Sequence, residues 1–442
     1  MLKPSTYIIL ATFFITLSIY RIPTPIGLNI TFYHILFGLA IYIGGLAFFS
    51  GTLKIHIYRD TRVLFIIFIM FACYSLLSFM RNIGSMRPES MSMYFSELVG
   101  YVFLLSIVLF ISKFSELQRV TKAFIASALF VYLGAFWHIY NFIVLDQYVT
   151  GIPFWSEYSK SKHVLSYIDS VSWFAGFPRF RLPFSSPAGT GVFLSLAGIV
   201  LLAHTLHHIA SKKRGTWVLI LLNLMNFLCL LGTFARASWA VFLVGSLFTL
   251  WYFRKLNLIS FGKITLTLLF LVGFFFASAS LVPFEDRFFD VVALRFSPKA
   301  TEASNIGHLQ SRLLALHYWK DSPILGLGIG GFWLKPVGGI HTHSTYFTIL
   351  VERGLIGLLL FLGFLFQLFR VLKRGMRQSL KRNDKMMLTY NIGFLGSLIG
   401  LFVGNFLYEM NSEVVWLFWG MVVAFVNISS KEKNFHERKR AL

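Results

Sequence analysis

Cysteine is almost absent: Cys73 and Cys229 are the only two in 442 residues, and each falls inside an apolar run. A disulfide framework and a cysteine-rich metal site are both excluded, and the two thiols read as packing residues. Charge is scarce as well, at 13% of residues against 56% hydrophobic, with 50 phenylalanines. A water-soluble fold of this length has too little polar surface to cover so much apolar material, so the bilayer is its solvent. Acidic residues are the scarcest charges, 18 against 40 Lys and Arg, for a net charge of +22. No Asp-x-Asp pair occurs in the segments that read as outside. Glu285, Asp286 and Asp290 come closest, and they read equally well as a solvated helix face. No metal or cofactor is expected.

What is present is a series of long apolar runs, at residues 6–20, 28–49, 63–79, 95–111, 124–144, 189–210, 217–232, 238–253, 264–282, 355–369, 387–407 and 414–428. Most have the length a helix needs to cross roughly 30 Å of hydrocarbon at about 1.5 Å per residue. The expected fold is an all-α polytopic membrane protein of about twelve transmembrane helices, one integral membrane domain over 1–442. The first run has no small-residue cleavage pattern after it and reads as an uncleaved helix. With the N-terminus inside, the surplus of Lys and Arg falls on the inner segments, which predicts both termini in the cytoplasm. Basic runs such as Lys212-Lys213-Arg214, the 370–385 loop and the tail KEKNFHERKR all adjoin apolar spans. Topology and attraction to anionic headgroups account for them, and no nucleic-acid module is visible.

Two outside segments, 145–188 and 283–353, are longer than any hairpin needs and are rich in Trp, Tyr, Phe, Pro and Gly rather than in disordered polar sequence. The first ends in FAGFPRFRLPFSSPAGTG, where Arg179 and Arg181 alternate with aromatics. Interfacial anchoring and an anion or sugar clamp both fit that pattern. In GTFARASWAVF, Arg236 is the only charge between two apolar runs. A charge at the hydrocarbon edge costs about 3 kcal/mol even on the lenient insertion scale, so it either snorkels or faces a polar cavity. In the second segment Leu309, Leu313, Leu316 and Trp319 recur at helical spacing, predicting an amphipathic surface helix over 309–320 with Arg312 beside its apolar stripe. The glycines at 326, 328, 330 and 331 lack the flanking strand and downstream acid of a dinucleotide fingerprint, and read as a tight backbone turn.

Residues 338–357, GGIHTHSTYFTILVERGLIG, gather His341, His343, Glu352 and Arg353 at the start of an apolar run. Counting back about 20 residues from Arg370 puts Glu352 and Arg353 near the outer hydrocarbon edge and His343 beyond it. The nine-residue separation sets His343 and Glu352 on opposite faces of an ideal helix, unless Gly354 bends it. His341-x-His343 alone supplies too few ligands for a familiar metal site.

At RFRLPFSSPAG, FARASW, SRLLALHYWKDSPILGLGIGGF and HTHSTYFTILVERGLIGLLLF, the chain resembles the O-antigen ligase and O-antigen polymerase superfamily, membrane glycosyltransferases of bacterial surface polysaccharide assembly. That resemblance implies a helical C-type glycosyltransferase architecture with two sizeable periplasmic loops, in the bacterial inner membrane. The implied substrates are a glycan on undecaprenyl diphosphate and an acceptor, either lipid A-core or another lipid-linked glycan. It further implies that Arg181, Arg236 and Arg312 hold the diphosphate and that His343 serves catalysis without a metal. From their place in the two outside segments, Arg179, His341, Glu352 and Arg353 are further substrate-binding candidates. Polymerases of the superfamily often carry an Arg followed eleven positions later by Gly. Here Arg179 meets Thr190, Arg181 meets Val192 and Arg312 meets Pro323, which favours a ligase over an O-antigen or exopolysaccharide polymerase. A transporter or flippase is the reading from another class. It predicts charges paired near the midplane and related halves, which the nearly uncharged spans do not offer.

Overall fold

The computed structural model describes residues 3–16, 22–23, 29–52, 57–85, 88–144, 173–174, 177–180, 186–260, 262, 290, 292, 294–295, 297–335, 341–409 and 412–441. Over these residues the chain is helical: α1 Pro4–Phe13, α2 Phe32–Phe49, α3 Arg59–Met80, α4 Pro88–Phe110, α5 Phe114–Val144, α6 Pro187–Ala210, α7 Thr216–Gly232, α8 Arg236–Lys255, α9 Pro298–Trp319, α10 Thr345–Lys381, α11 Lys385–Leu407 and α12 Glu413–Ala441. Two antiparallel pairs of two-residue strands, Ile22–Pro23 with Asn29–Ile30 and Trp173–Phe174 with Phe177–Pro178, are the only strands among the described residues. Seven described helices are long and apolar enough to cross a membrane, and Pro4–Thr16, Tyr94–Phe110 and Thr216–Gly232 are shorter apolar helices. The chain is an all-α, multi-pass membrane protein. Eleven of the expected spans coincide with a described helix, and the one at 264–282 lies outside the described residues.

Between helices that already share an apolar solvent, close backbone approach and interhelical hydrogen bonds drive association. The sequence supplies both around α6, α8 and α11. A side chain at Gly245 or Gly396 would strike the other's carbonyl, and one at Gly400 would strike the carbonyl of Val241, so these glycines let α8 and α11 touch. Ser195 on α6 donates to the carbonyl of Ser238 on α8 at 2.8 Å. Tyr132 of α5 donates to Asn226 of α7 at 3.0 Å, and Asn226 donates in turn to the carbonyl of Leu194 at 3.0 Å. The last span, α12, is buried along its apolar length. Trp416 of α12 meets Tyr101 edge-on at 4.7 Å, where Gly100 of α4 leaves room for the indole.

Helix α10 is not continuous. Gly354 adopts φ 63° and ψ −166°, a conformation open essentially to glycine alone, and it splits the helix nine residues after its start at Thr345. The glycine run fills that break. Leu327 and Gly328 donate to the carbonyls of Val351 and Glu352 at 2.8 and 2.9 Å, and Leu355 donates to the carbonyl of Pro323 at 2.9 Å. Gly326, Gly328 and Gly330 all have positive φ, and a side chain at Gly326 would collide with the α10 backbone. The run is therefore a backbone plug: it satisfies amides and carbonyls that the break would otherwise leave without partners.

The expected amphipathic helix is present as α9, which begins eleven residues earlier than the pattern suggested. Leu309 and Leu313 are exposed, while Ser311 and Ala315 are buried, Ala315 against Phe332 and Val351. The face that docks on the protein is thus the one with small residues, which allow close approach, and the leucine stripe is left outside it. Cys229 is buried as a packing residue should be, whereas Cys73 is exposed on α3.

Candidate active site

The turn between α7 and α8 organises one side of a large cavity. Thr233 and Phe234 end α7, Phe234 with φ 48°, so their carbonyls turn away from both helices. Arg179 Nε donates to the carbonyl of Thr233 at 3.1 Å, and Arg179 Nη2 to that of Phe234 at 3.4 Å. Arg295 Nε donates to the same Phe234 carbonyl at 2.9 Å. Arg236, the first residue of α8, follows at once and donates from Nη2 to Asn305 Oδ1 on α9 at 2.7 Å. Beside them α6 begins at Ser186, whose side chain accepts from the amide of Gly189 at 3.0 Å, with Pro187 in the first turn where it has no amide to lose. Two helix N-termini and three arginines thus open on one space, a setting that attracts anions.

Helix α9 closes the opposite side. Arg312 Nη2 donates to the carbonyl of His343 at 3.2 Å, and Arg312 Nε is buried with no partner among the described residues. One turn earlier, His308 lies edge-on to His343 with ring centroids 4.2 Å apart. His343 sits in left-handed backbone, φ 51°, just before Ser344 caps α10. Its other ring neighbours are His341 at 5.9 Å and Tyr408 at 6.2 Å. His341 Nδ1 is 3.5 Å from Glu409 Oε2, and its ring meets Trp333 edge-on at 4.6 Å.

These groups line one cavity of about 990 Å³, with Arg179, Arg236, Arg295 and Arg312 on its walls together with His308, His341 and His343. Arg236 and Arg312 have no carboxylate partner among the described residues. Burial, reinforced by Arg295, brings the guanidinium of Arg179 down to about 10, and burial with Arg236 brings Arg295 down to about 10. Both remain charged near neutrality. Burial, then His308 and His341, lower His343 to about 4, with Glu409 opposing the shift. His308 is lowered by burial and by Arg312, Arg236 and Arg295. Around pH 7 the site therefore holds fixed cations beside neutral imidazoles that can accept protons.

Of the residues singled out in the sequence, Arg179, Arg236, Arg312, His341, His343, Glu352 and Arg353 all border this cavity, and Arg181 lies outside the described residues. Glu352 and Arg353 are enclosed by protein. Glu352 Oε1 accepts the amide of Gly330 at 3.0 Å, and Arg353, 1% exposed, pairs with Glu97 of α4 at 2.5 Å and lies over the ring of Phe71. Arg353 Nε and Nη1 have no hydrogen-bond partner among the described residues. The break at Gly354 follows Glu352 and does not bring it to His343. Sequence reasoning passed over Arg295, His308 and Glu409. For His308 the signal was present, since it precedes Arg312 by one helical turn. Arg295 and Glu409 carry no such spacing.

Residues 218–362 match the family model described as O-antigen ligase. No curated protein matches the chain. The matched segment contains Arg236, Arg295, His308, Arg312 and His343, so it carries most of the cationic wall and the histidine facing it. With the multi-pass helical architecture, the match supports a ligase- or polymerase-type function in general terms. What the match shows is a likeness of residues 218–362 to the O-antigen ligase family.

Proposed function

We propose that the protein transfers a glycan from undecaprenyl diphosphate to a sugar hydroxyl on the periplasmic face of the bacterial inner membrane, with lipid A-core as acceptor. The observation that carries this reading is the convergence of Arg179, Arg236, Arg295 and Arg312 on one cavity that also presents His343. Guanidinium groups grip a diphosphate by paired, charge-assisted hydrogen bonds and stabilise the charge that grows on it as the glycosidic bond breaks. The acceptor oxygen attacks the anomeric carbon directly. The bond from that carbon to the phosphate oxygen breaks, and undecaprenyl diphosphate leaves with the electron pair.

The hydroxyl proton goes to a ring nitrogen of neutral His343, or is oriented by it. A base of such depressed basicity is fully deprotonated near neutrality but accepts a proton late, as the acceptor oxygen becomes positive. The approaching diphosphate raises that basicity by supplying negative charge nearby. Arg353, paired with Glu97, and Glu352, which accepts the Gly330 amide, support the cavity wall from within the bundle in this reading.

A deletion strain tests the assignment. Loss of a ligase leaves long polymer on undecaprenyl diphosphate and none on surface lipid, the result expected here. Loss of a polymerase leaves surface lipid carrying at most one repeat unit, which would replace ligation by polymerisation. Unchanged surface and lipid-linked glycan would reject both.

A further inference from the structure

The cavity has two chemically different ends. Four arginines occupy one, while Trp333, His341 and Glu409 occupy the other, with His343 between them: its ring is 4.2 Å from His308 on the arginine side and 5.9 Å from His341 on the far side, and Tyr408, which also acts on Arg179, borders both. Nothing in a diphosphate calls for the second end. Trp333 offers an aromatic face of the kind on which the apolar face of a pyranose packs, and its edge contact with His341 holds both rings in place. Glu409, 17% exposed on its side chain, faces His341 at 3.5 Å and has carboxylate lone pairs to spare for donors.

We propose that the Trp333–His341–Glu409 end is the subsite for the acceptor sugar, built for a pyranose that presents hydroxyl or amino donors and biased against a uronic acid. This rests on the glycosyl-transfer reading above and deepens it. Glu409 accepts hydrogen bonds from sugar hydroxyls, which gain from an ionised acceptor. A sugar carboxylate in the same place meets like charge, and for separations of several ångströms that repulsion is worth about tenfold in affinity after solvent screening. The sugar's attacking hydroxyl then lies toward His343, with the donor diphosphate held beyond it. His341 is a positioning residue that keeps Glu409 and Trp333 in register.

Methyl glucoside and methyl glucuronide differ only in a hydroxymethyl group exchanged for a carboxylate, so they isolate this bias. Their binding to the purified, lipid-reconstituted protein is read by saturation-transfer NMR at millimolar concentration, with no lipid-linked donor present and with inorganic pyrophosphate occupying the arginine end, so that the glucuronide cannot be held there. The expected result is that the glucoside binds about tenfold more tightly than the glucuronide. Glu409→Gln should bring the two within about twofold, Trp333→Ala should abolish both signals, and Cys73→Ser, at a residue that does not line the cavity, should leave both unchanged. Equal binding of the two sugars to the unaltered protein overturns the proposal. So does no binding of either, or sugar binding that survives Trp333→Ala. Because this assay needs no lipid-linked donor and no transfer, the two failures are told apart: a negative deletion-strain result removes the acceptor role while the sugar preference can still be measured, and failure of the sugar preference leaves the donor assignment untouched.

Discussion

Two arginine settings in this molecule stand about as far apart chemically as one side chain allows. Arg353 is sealed inside the bundle against Glu97, whose carboxylate also accepts from Tyr101, and it lies over Phe71. Arg236 and Arg312 border an open cavity, donate only to neutral oxygens, and meet no carboxylate among the described residues. A buried cation that is paired is scaffold: its partner was chosen by the fold, and removing that partner leaves a charge with nowhere to go. Cations such as Arg236 and Arg312, with no carboxylate in contact among the described residues, repel one another, and that cost is relieved by an anion from outside. The contrast separates residues that build the cavity from residues that use it, although all of them line its walls.

Breaking the using side has the largest effect. His343→Ala should lower transfer about 10²- to 10⁴-fold in membranes while leaving the amount of folded protein unchanged, as expected for loss of a proton acceptor. A His343→Ala protein with full activity would sink that role. The kcat/KM of the unaltered enzyme, which reports the free protein, should also hold from pH 8 down to pH 6 and fall only as pH drops toward about 4. His343 is depressed, so its neutral form persists until then. An acid limb near the ordinary imidazole value of about 6.5 would contradict this environment. Arg236→Lys keeps the charge and loses the planar fork, and should cost about 10- to 100-fold, mostly as weaker donor use in steady-state kinetics.

Breaking the building side reads out differently. Glu97→Gln leaves Arg353 buried without its counter-ion and should destabilise the fold by about 3 kcal/mol, seen as a lower midpoint of thermal unfolding in detergent. The fraction that stays folded should retain its activity. If Glu97→Gln unfolds no earlier than the parent, the Arg353 pair is not scaffold. Cys73→Ser, on an exposed face of α3, sets the lower bound: a change within about 0.5 kcal/mol and no loss of transfer. A large loss at Cys73 would mean that this surface is covered by something.

Much of this contrast was legible in the sequence because charge is so expensive in an apolar chain. Arg236 stood out between two uncharged runs, and His343 and Arg312 stood out in a loop too long to be a connector. The spans were legible for the same reason, each run of apolar residues ending where backbone must meet water or protein. What the sequence hid was partnership. Glu97 and Arg353 are 256 residues apart and signal nothing to each other in one dimension. The glycine run read as a turn, and only the break at Gly354 explains why it is there. Arg295 and Glu409 reach the cavity from segments with no periodicity to read, and the leucine stripe of α9 pointed outward because small residues, not large ones, mark where that helix docks.

The most direct measurement is equilibrium binding of undecaprenyl diphosphate to the purified protein, comparing the parent with Arg236→Ala/Arg312→Ala and with Glu97→Gln. Removing two charge-assisted contacts should weaken binding by tenfold or more, about 1.5–3 kcal/mol for each hydrogen bond to a charged group, while the folded fraction of Glu97→Gln binds as the parent does. If the double arginine variant binds as tightly as the parent, the arginine wall is not a diphosphate clamp.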